Sequence, residues 1–187
     1  MLFRSPASIT TESALASSVL WEYSDSLLGL TYSRPFVAFT SYATGGSNGF
    51  LVFFGSGYNN SDGNPYLYAV NAQTGALVAR INLCASVTPN PCSSTLPNGL
   101  STPVVVNRGG ALNQPADTVY AGDLQGNMWK VDISNSNPGL WKTSLLFQAR
   151  DASGNPQPIT TAPVVSLHPN FPISTGPVVY FGTGQFL

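Results

Sequence analysis

The chain has 187 residues, a formal net charge of −1 at pH 7 and only 8% charged residues, against about 25% in ordinary soluble domains, so Ser, Thr, Asn and Gln must wet most of its surface. Its 7 Lys and Arg are scattered, which excludes a basic stripe able to neutralise phosphates and with it a nucleic-acid partner. With 18 Gly, 15 Pro, 3 Trp, 8 Tyr and 10 Phe, the composition predicts an all-β domain of short strands and many turns.

Residues 1–19 read as a lead-in, with Ser and Thr where a signal peptide would carry its apolar centre. No run approaches the roughly 18 apolar residues needed to cross a bilayer, so a membrane span is not expected and any secretion signal is expected upstream. Val19-Leu20-Trp21-Glu22-Tyr23 reads as the outer strand of a first unit. Pro35 opens an inner strand, Leu51-Val52-Phe53-Phe54-Gly55 is a second, and Tyr66-Leu67-Tyr68-Ala69-Val70-Asn71 a third; residues 76–83 follow the Gln73-Thr74-Gly75 turn as the outer strand. Asp62-Gly63 is a hairpin-type dipeptide in the loop between second and third strands.

Cys84 and Cys92 flank a loop of Ser, Thr, Pro and Asn. A structural disulfide is the preferred reading, with two free thiols as the alternative. One distant His168 completes no metal site, and the cysteine spacing is not that of a redox pair.

Residues 101–106 form the next inner strand, whose Pro103 is tolerated only at a start or an edge. After a loop, Thr118-Val119-Tyr120-Ala121-Gly122 is the second strand, Asp123-Leu124-Gln125-Gly126 the turn, and residues 127–132 the third, alternating Met128, Lys130 and Asp132 with Trp129 and Val131. Residues 135–139 read as a turn and 140–147 as the outer strand.

Val178-Val179-Tyr180-Phe181-Gly182 repeats the second-strand shape a third time. Pro35 stands 20 residues before Gly55, while Pro103 and Pro163 stand 19 before Gly122 and Gly182, so the unit recurs every 60 to 68 residues. Tyr68 falls where Trp129 falls in the next copy. Such a period marks a unit that buries its apolar face only by stacking on copies of itself. The expectation is a partial β-propeller over 20–187, with full blades at about 35–83 and 103–147 and incomplete units at both ends. Because propellers hold roughly four to eight blades, the chain is read as part of a larger ring, and in isolation is expected to be marginal or self-associating.

Gly55, Gly57, Gly122, Asp123, Gly126, Trp129, Gly182 and Gly184 mark the motif structurally. Asp123 begins a turn in which its side chain can accept backbone amides. Arg34 can pair with a neighbouring blade's carboxylate.

Leu20-Trp21-Glu22-Tyr23-Ser24-Asp25, Leu28-Gly29-Leu30-Thr31-Tyr32-Ser33-Arg34-Pro35, Phe54-Gly55-Ser56-Gly57-Tyr58-Asn59-Asn60, the stretch from Tyr120 through Asp132, Gln157-Pro158-Ile159-Thr160 and Phe181-Gly182-Thr183-Gly184 occur in that order. Together they resemble the C-terminal propeller of the type IV pilus tip-associated biogenesis proteins of the PilY/PilC type. The resemblance implies a modified propeller with blades like those of quinoprotein dehydrogenases, exported to the periplasm, outer membrane, cell surface or pilus tip. It implies a non-enzymatic role in pilus assembly, in opposing retraction, in twitching and in surface adhesion. Minor pilins, other tip components, a host or abiotic surface and the parent protein's remaining blades are the implied partners.

The resemblance also implies a nine-residue calcium loop before the Tyr120 motif. Laid back from Asp117, the pattern places Asn113 fifth, the Pro115 carbonyl seventh and Asp117 ninth, but Gly109 and Ala111 stand where acidic ligands belong. Calcium is a hard cation that takes 6–8 oxygens, so a loop held without metal is the expectation, and no cofactor is expected elsewhere. Two rivals to the pilus reading are an envelope scaffold propeller for outer-membrane assembly and a quinone-dependent dehydrogenase fragment. The second is disfavoured because that class uses adjacent cysteines, whereas Cys84 and Cys92 stand eight positions apart.

Overall fold

The computed structural model describes residues 2–3, 11, 18–42, 49–109, 114–167, 170 and 176–184. Within them the chain is all-β apart from one short 3-10 turn. β3 (Phe36–Phe39), β4 (Phe50–Gly55), β5 (Tyr66–Asn71) and β6 (Leu77–Asn82) form a four-stranded antiparallel sheet in chain order, and β7 (Val104–Val106), β8 (Thr118–Gly122), β9 (Asn127–Asp132) and β10 (Lys142–Gln148) form a second. Two-stranded sheets flank them: β1 (Leu2–Phe3) with β2 (Val19–Trp21), and β11 (Val164–Ser166) with β12 (Val178–Tyr180).

Register makes the two large sheets equivalent. Gly55 pairs with Leu67 and Phe54 with Tyr68, as Gly122 pairs with Met128 and Ala121 with Trp129. Tyr68 therefore occupies the station of Trp129. Each outer pairing carries one register shift, between Ala69 and Val70 in one sheet and between Leu145 and Phe147 in the other, a bulge that bends and twists the outer edge.

The sheets stack as blades rather than joining edge to edge. Leu51, Phe53, Leu67 and Ala69 of the first face Val105, Val119, Ala121, Trp129 and Val131 of the second in one buried cluster. Period-2 alternation sends Val52, Phe54, Tyr68 and Val70 to the opposite face, where Trp21, Tyr23, Leu27 and Leu28 cover them. A strand buried on both faces needs a continuous apolar run, and β4 and β8 supply one. Met128 on the far face of the second blade packs with Ala149 and Ile159 against Val179 and Phe181. The inner strand β7 lies beside both β3 and β11, and Arg34, Pro35, Phe36, Thr102, Pro103 and Ala162 line a cavity of about 400 Å³ where the inner strands begin.

Two local readings are corrected. The outer strand of the second blade starts at Lys142, not at 140, because Pro138–Leu140 forms a 3-10 turn capped by the Asn137 side chain accepting from the Gly139 amide. Arg34 pairs with no carboxylate among the described residues: its side chain is exposed and its amide donates to Thr102 Oγ1 at 3.0 Å.

Candidate functional site at the blade junction

The repeated glycines are points where one blade's backbone meets the next. A Cβ on Gly55 would lie 2.4 Å from the carbonyls of Leu100 and Ser101, and one on Gly122 would lie 2.3 Å from Ile159 Cγ2. Only glycine permits that approach. Gly57 and Gly126 also need their type, with φ of +70° and +76° and backbone carbonyls within 2.6 Å of any added Cβ. Gly182 has open space around its Cβ position; Gly184 donates its amide to the Pro158 carbonyl at 2.7 Å.

Between the two blades lies a buried polar node. Asp123, fully buried at the start of the β8–β9 turn, accepts five hydrogen bonds. Its Oδ1 receives the amides of Gln125 and Asn127, each at 2.9 Å. Its Oδ2 receives Asn98 Nδ2 at 2.9 Å, Asn127 Nδ2 at 2.8 Å and Trp129 Nε1 at 2.8 Å. Burial pushes the carboxyl up from its ordinary value, and the donors of Asn127, Asn98 and Trp129 pull it back.

The cysteines close over this node. Cys84 and Cys92 form a disulfide in the loop after β6, and Asn98 Nδ2 lies 3.8 and 3.7 Å from their sulfurs. Gln125 fastens the same loop from the second blade, donating to the carbonyls of Ser93 and Leu96 and accepting from the Ser93 amide at 2.7 Å. Both sulfurs and an Asp123 oxygen fall within 4.8 Å of one another, yet the sulfurs are bonded together and the carboxylate is saturated with donors. Sequence reasoning named Asp123, Trp129 and the cysteines separately. It missed Asn98, Gln125 and Asn127, which join them.

A second carboxylate holds the other face of the first blade. Asp25 accepts from the Leu27 amide at 2.8 Å, Arg80 Nη1 at 2.8 Å and the hydroxyls of Tyr68 at 3.2 Å and Tyr23 at 3.3 Å. Tyr68 thus serves as Trp129 does, as a buried aromatic whose polar tip meets an aspartate. Burial works to raise the Asp25 carboxyl, but the Leu27 amide and the Arg80 guanidinium outweigh it and hold the group below its usual range.

Of the proposed calcium ligands, Asn113 lies outside the described residues, as does His168. The donors that are described do not fit a hard cation. Asp117 Oδ1 already accepts the Arg108 amide, Arg108 Nε and Thr118 Oγ1, at 3.2, 3.2 and 2.8 Å, and the Pro115 carbonyl accepts Asn107 Nδ2 at 3.0 Å. Asp117 is held by a guanidinium, a hydroxyl and a backbone amide.

Four-stranded antiparallel blades stacked face to face, with glycines at each crossing, define a segment of a β-propeller. Its carboxylates Asp123 and Asp25 are bonded to donors of the fold itself. The sequence matches the family model of the PilY1 beta-propeller domain over residues 22–187, and the chain belongs to that family. It is 32% identical over 185 residues to a type IV pilus biogenesis factor PilY1 homolog of Xylella fastidiosa strain Temecula1, covering 91% of this chain and 12% of that protein. It is 29% identical over 195 residues to the type IV pilus biogenesis factor PilY1 of Pseudomonas aeruginosa strain UCBPP-PA14, covering 90% and 15%. The crystal structure of the Pseudomonas aeruginosa PilY1 C-terminal domain superposes with a TM-score of 0.73 at 28% identity, over 90% of this chain and 36% of that one. The chain spans well under a fifth of the length of these curated relatives.

Proposed function

We propose that this segment is a non-enzymatic structural part of a type IV pilus assembly factor, presenting propeller surfaces to minor pilins and other tip components. Through the parent protein it acts in pilus biogenesis, in opposing retraction, in twitching and in attachment to host or abiotic surfaces, from the periplasm, outer membrane or pilus tip. The observation that carries the reading is family membership over 22–187 with relatives named as pilus biogenesis factors. Its chemistry is compatible: the buried carboxylate Asp123 is committed to donors of its own fold, with no nucleophile paired to it. No helix among the described residues is long and apolar enough to cross a membrane.

Affinity purification of the tagged parent protein from its host tests this. Minor pilins are expected in the eluate, and in reduced amount when the segment carries Trp129→Ala. An eluate without pilins from piliated cells would overturn the proposal.

A further inference from the structure

The connection from β7 to β8 contains a cation supplied by the chain. Asp117 immediately precedes β8, and Asp132 ends β9 opposite Thr118, so the two carboxylates come together at one end of the hairpin. Arg108 lies against both. Its Nε is 3.2 Å from Asp117 Oδ1 and its Nη2 is 3.6 Å from Asp132 Oδ2. Its backbone amide bonds the same Asp117 oxygen at 3.2 Å. Thus main chain and side chain of one residue clasp the carboxylate that closes the loop.

The surrounding groups complete the arrangement. Asn107 donates from Nδ2 to the Pro115 carbonyl at 3.0 Å and accepts the Gly109 amide at 2.8 Å. The Asp117 amide donates to Val106 at 3.0 Å, and the Asp117 carbonyl accepts from Ile133 at 2.8 Å. Ser134 satisfies Asp132 through its amide and hydroxyl. Asp117 Oδ1 and the Pro115 carbonyl each have protein donors, and the Arg108 guanidinium stands beside Asp117 as a fixed positive charge. A hard cation wanting 6–8 oxygens and several carboxylates would have to displace that charge.

We propose that Arg108 is the resident cation at this end of the hairpin: it replaces a divalent metal, holds Asp117 without calcium, and masks the Asp117–Asp132 carboxylate pair, which becomes cation-responsive when Arg108 is removed. Asp117 and Asp132 without Arg108 repel each other at the hairpin end, and a divalent ion bridging them relieves that repulsion. The role requires the charge and not the guanidinium plane alone, because the Nη2 contact is an ion pair without the geometry of a two-pronged bond.

Thermal unfolding and amide hydrogen exchange of the 187-residue chain, each with excess EDTA or with millimolar calcium chloride, test it on the native protein, Arg108→Ala and Arg108→Lys. The native protein should give the same melting midpoint and the same exchange across 107–117 in both solutions. Arg108→Ala should speed exchange there by about an order of magnitude in EDTA, with calcium restoring part of the protection. Arg108→Lys should stay near native and insensitive to calcium. Calcium protection of the native loop would overturn the proposal, and so would native exchange rates in Arg108→Ala. If Arg108→Ala does not fold, the native and lysine proteins still decide, since a calcium response in either contradicts a resident cation.

Discussion

Asp123→Ala is the sharpest perturbation of the blade junction. It removes the shared carboxylate acceptor of five N–H donors, drawn from Gln125, Asn127, Asn98 and Trp129, and leaves the Gln125 amide only its longer bond to Asn98 Oδ1 at 3.3 Å. A hydrogen bond to a charged group contributes about 1.5–3 kcal/mol, but five donors on one carboxylate are not additive, and three of them come from Asn127 and Trp129 on the same strand. Buried donors left unpaired cost about 1–3 kcal/mol each, and with relaxation of the turn relieving part of this the net loss is about 3–5 kcal/mol. In a chain of this size 1 kcal/mol moves Tm by about 2–4 °C, so Asp123→Ala should lower Tm by about 6–20 °C. Asp123→Asn retains an acceptor for the two turn amides but turns an NH2 toward the donors of Asn98, Asn127 and Trp129, and should lie between native and alanine. Circular dichroism at the β-sheet band, scanned reversibly with temperature, reads the series. An alanine variant melting within about 2 °C of native, the scale of an ordinary surface substitution, would refute the idea that this node holds the blades together.

Trp129→Ala, which empties a fully buried station facing the first blade, should cost about 3–5 kcal/mol in urea unfolding. Gly57→Ala combines positive φ with a Cβ 2.2 Å from the Leu30 carbonyl and should cost well over the roughly 1–2 kcal/mol of left-handed backbone alone; Gly63→Ala, with φ of +67° and open space around it, should cost only that. Reducing the Cys84–Cys92 disulfide should remove roughly 2–3 kcal/mol and speed exchange in the 84–98 loop while the strands persist; labelling of unreduced, denatured protein should find no free thiol. Asp25 titrates below the ordinary aspartate value of 3.8 in the folded chain, so its contribution is present above that value and fades as pH falls through the lower folded one. The native protein should therefore lose Tm more steeply than Asp25→Asn on acidification below about pH 4, and parallel curves would contradict the Asp25–Arg80 pairing.

The blade pattern was legible because its signals are local. Proline at the start of an inner strand and glycine at the end of the second recur at a fixed spacing, and Asn71 and Asp132 end third strands by accepting amides of the turns that follow. What sequence reading could not supply was contact across the stack. Gly55 and Gly122 read as strand ends, yet their type is required by Leu100, Ser101 and Ile159 from the next unit. Asn98 carries no local sequence signal and Gln125 reads only as a turn residue; both become central because stacking brings the 84–98 loop onto the β8–β9 turn. Arg108 gave no signal because Asp117 and Asp132, the two carboxylates it bonds, are brought together only by the β8–β9 register. The outer strand was placed too early because Asn137 and Pro138 redirect the chain through side-chain capping, which apolar patterning does not register.

Under the proposed function, pilus assembly depends on the folded state of these blades. Surface pilin, measured by quantitative immunoblot of sheared filaments, should be tested in a host whose parent protein carries Trp129→Ala or Asp123→Ala at native expression level. Surface pilin is expected to fall in both strains in proportion to the loss of propeller stability and to be restored by the native gene. Native surface pilin in strains whose propeller is demonstrably unfolded would contradict it.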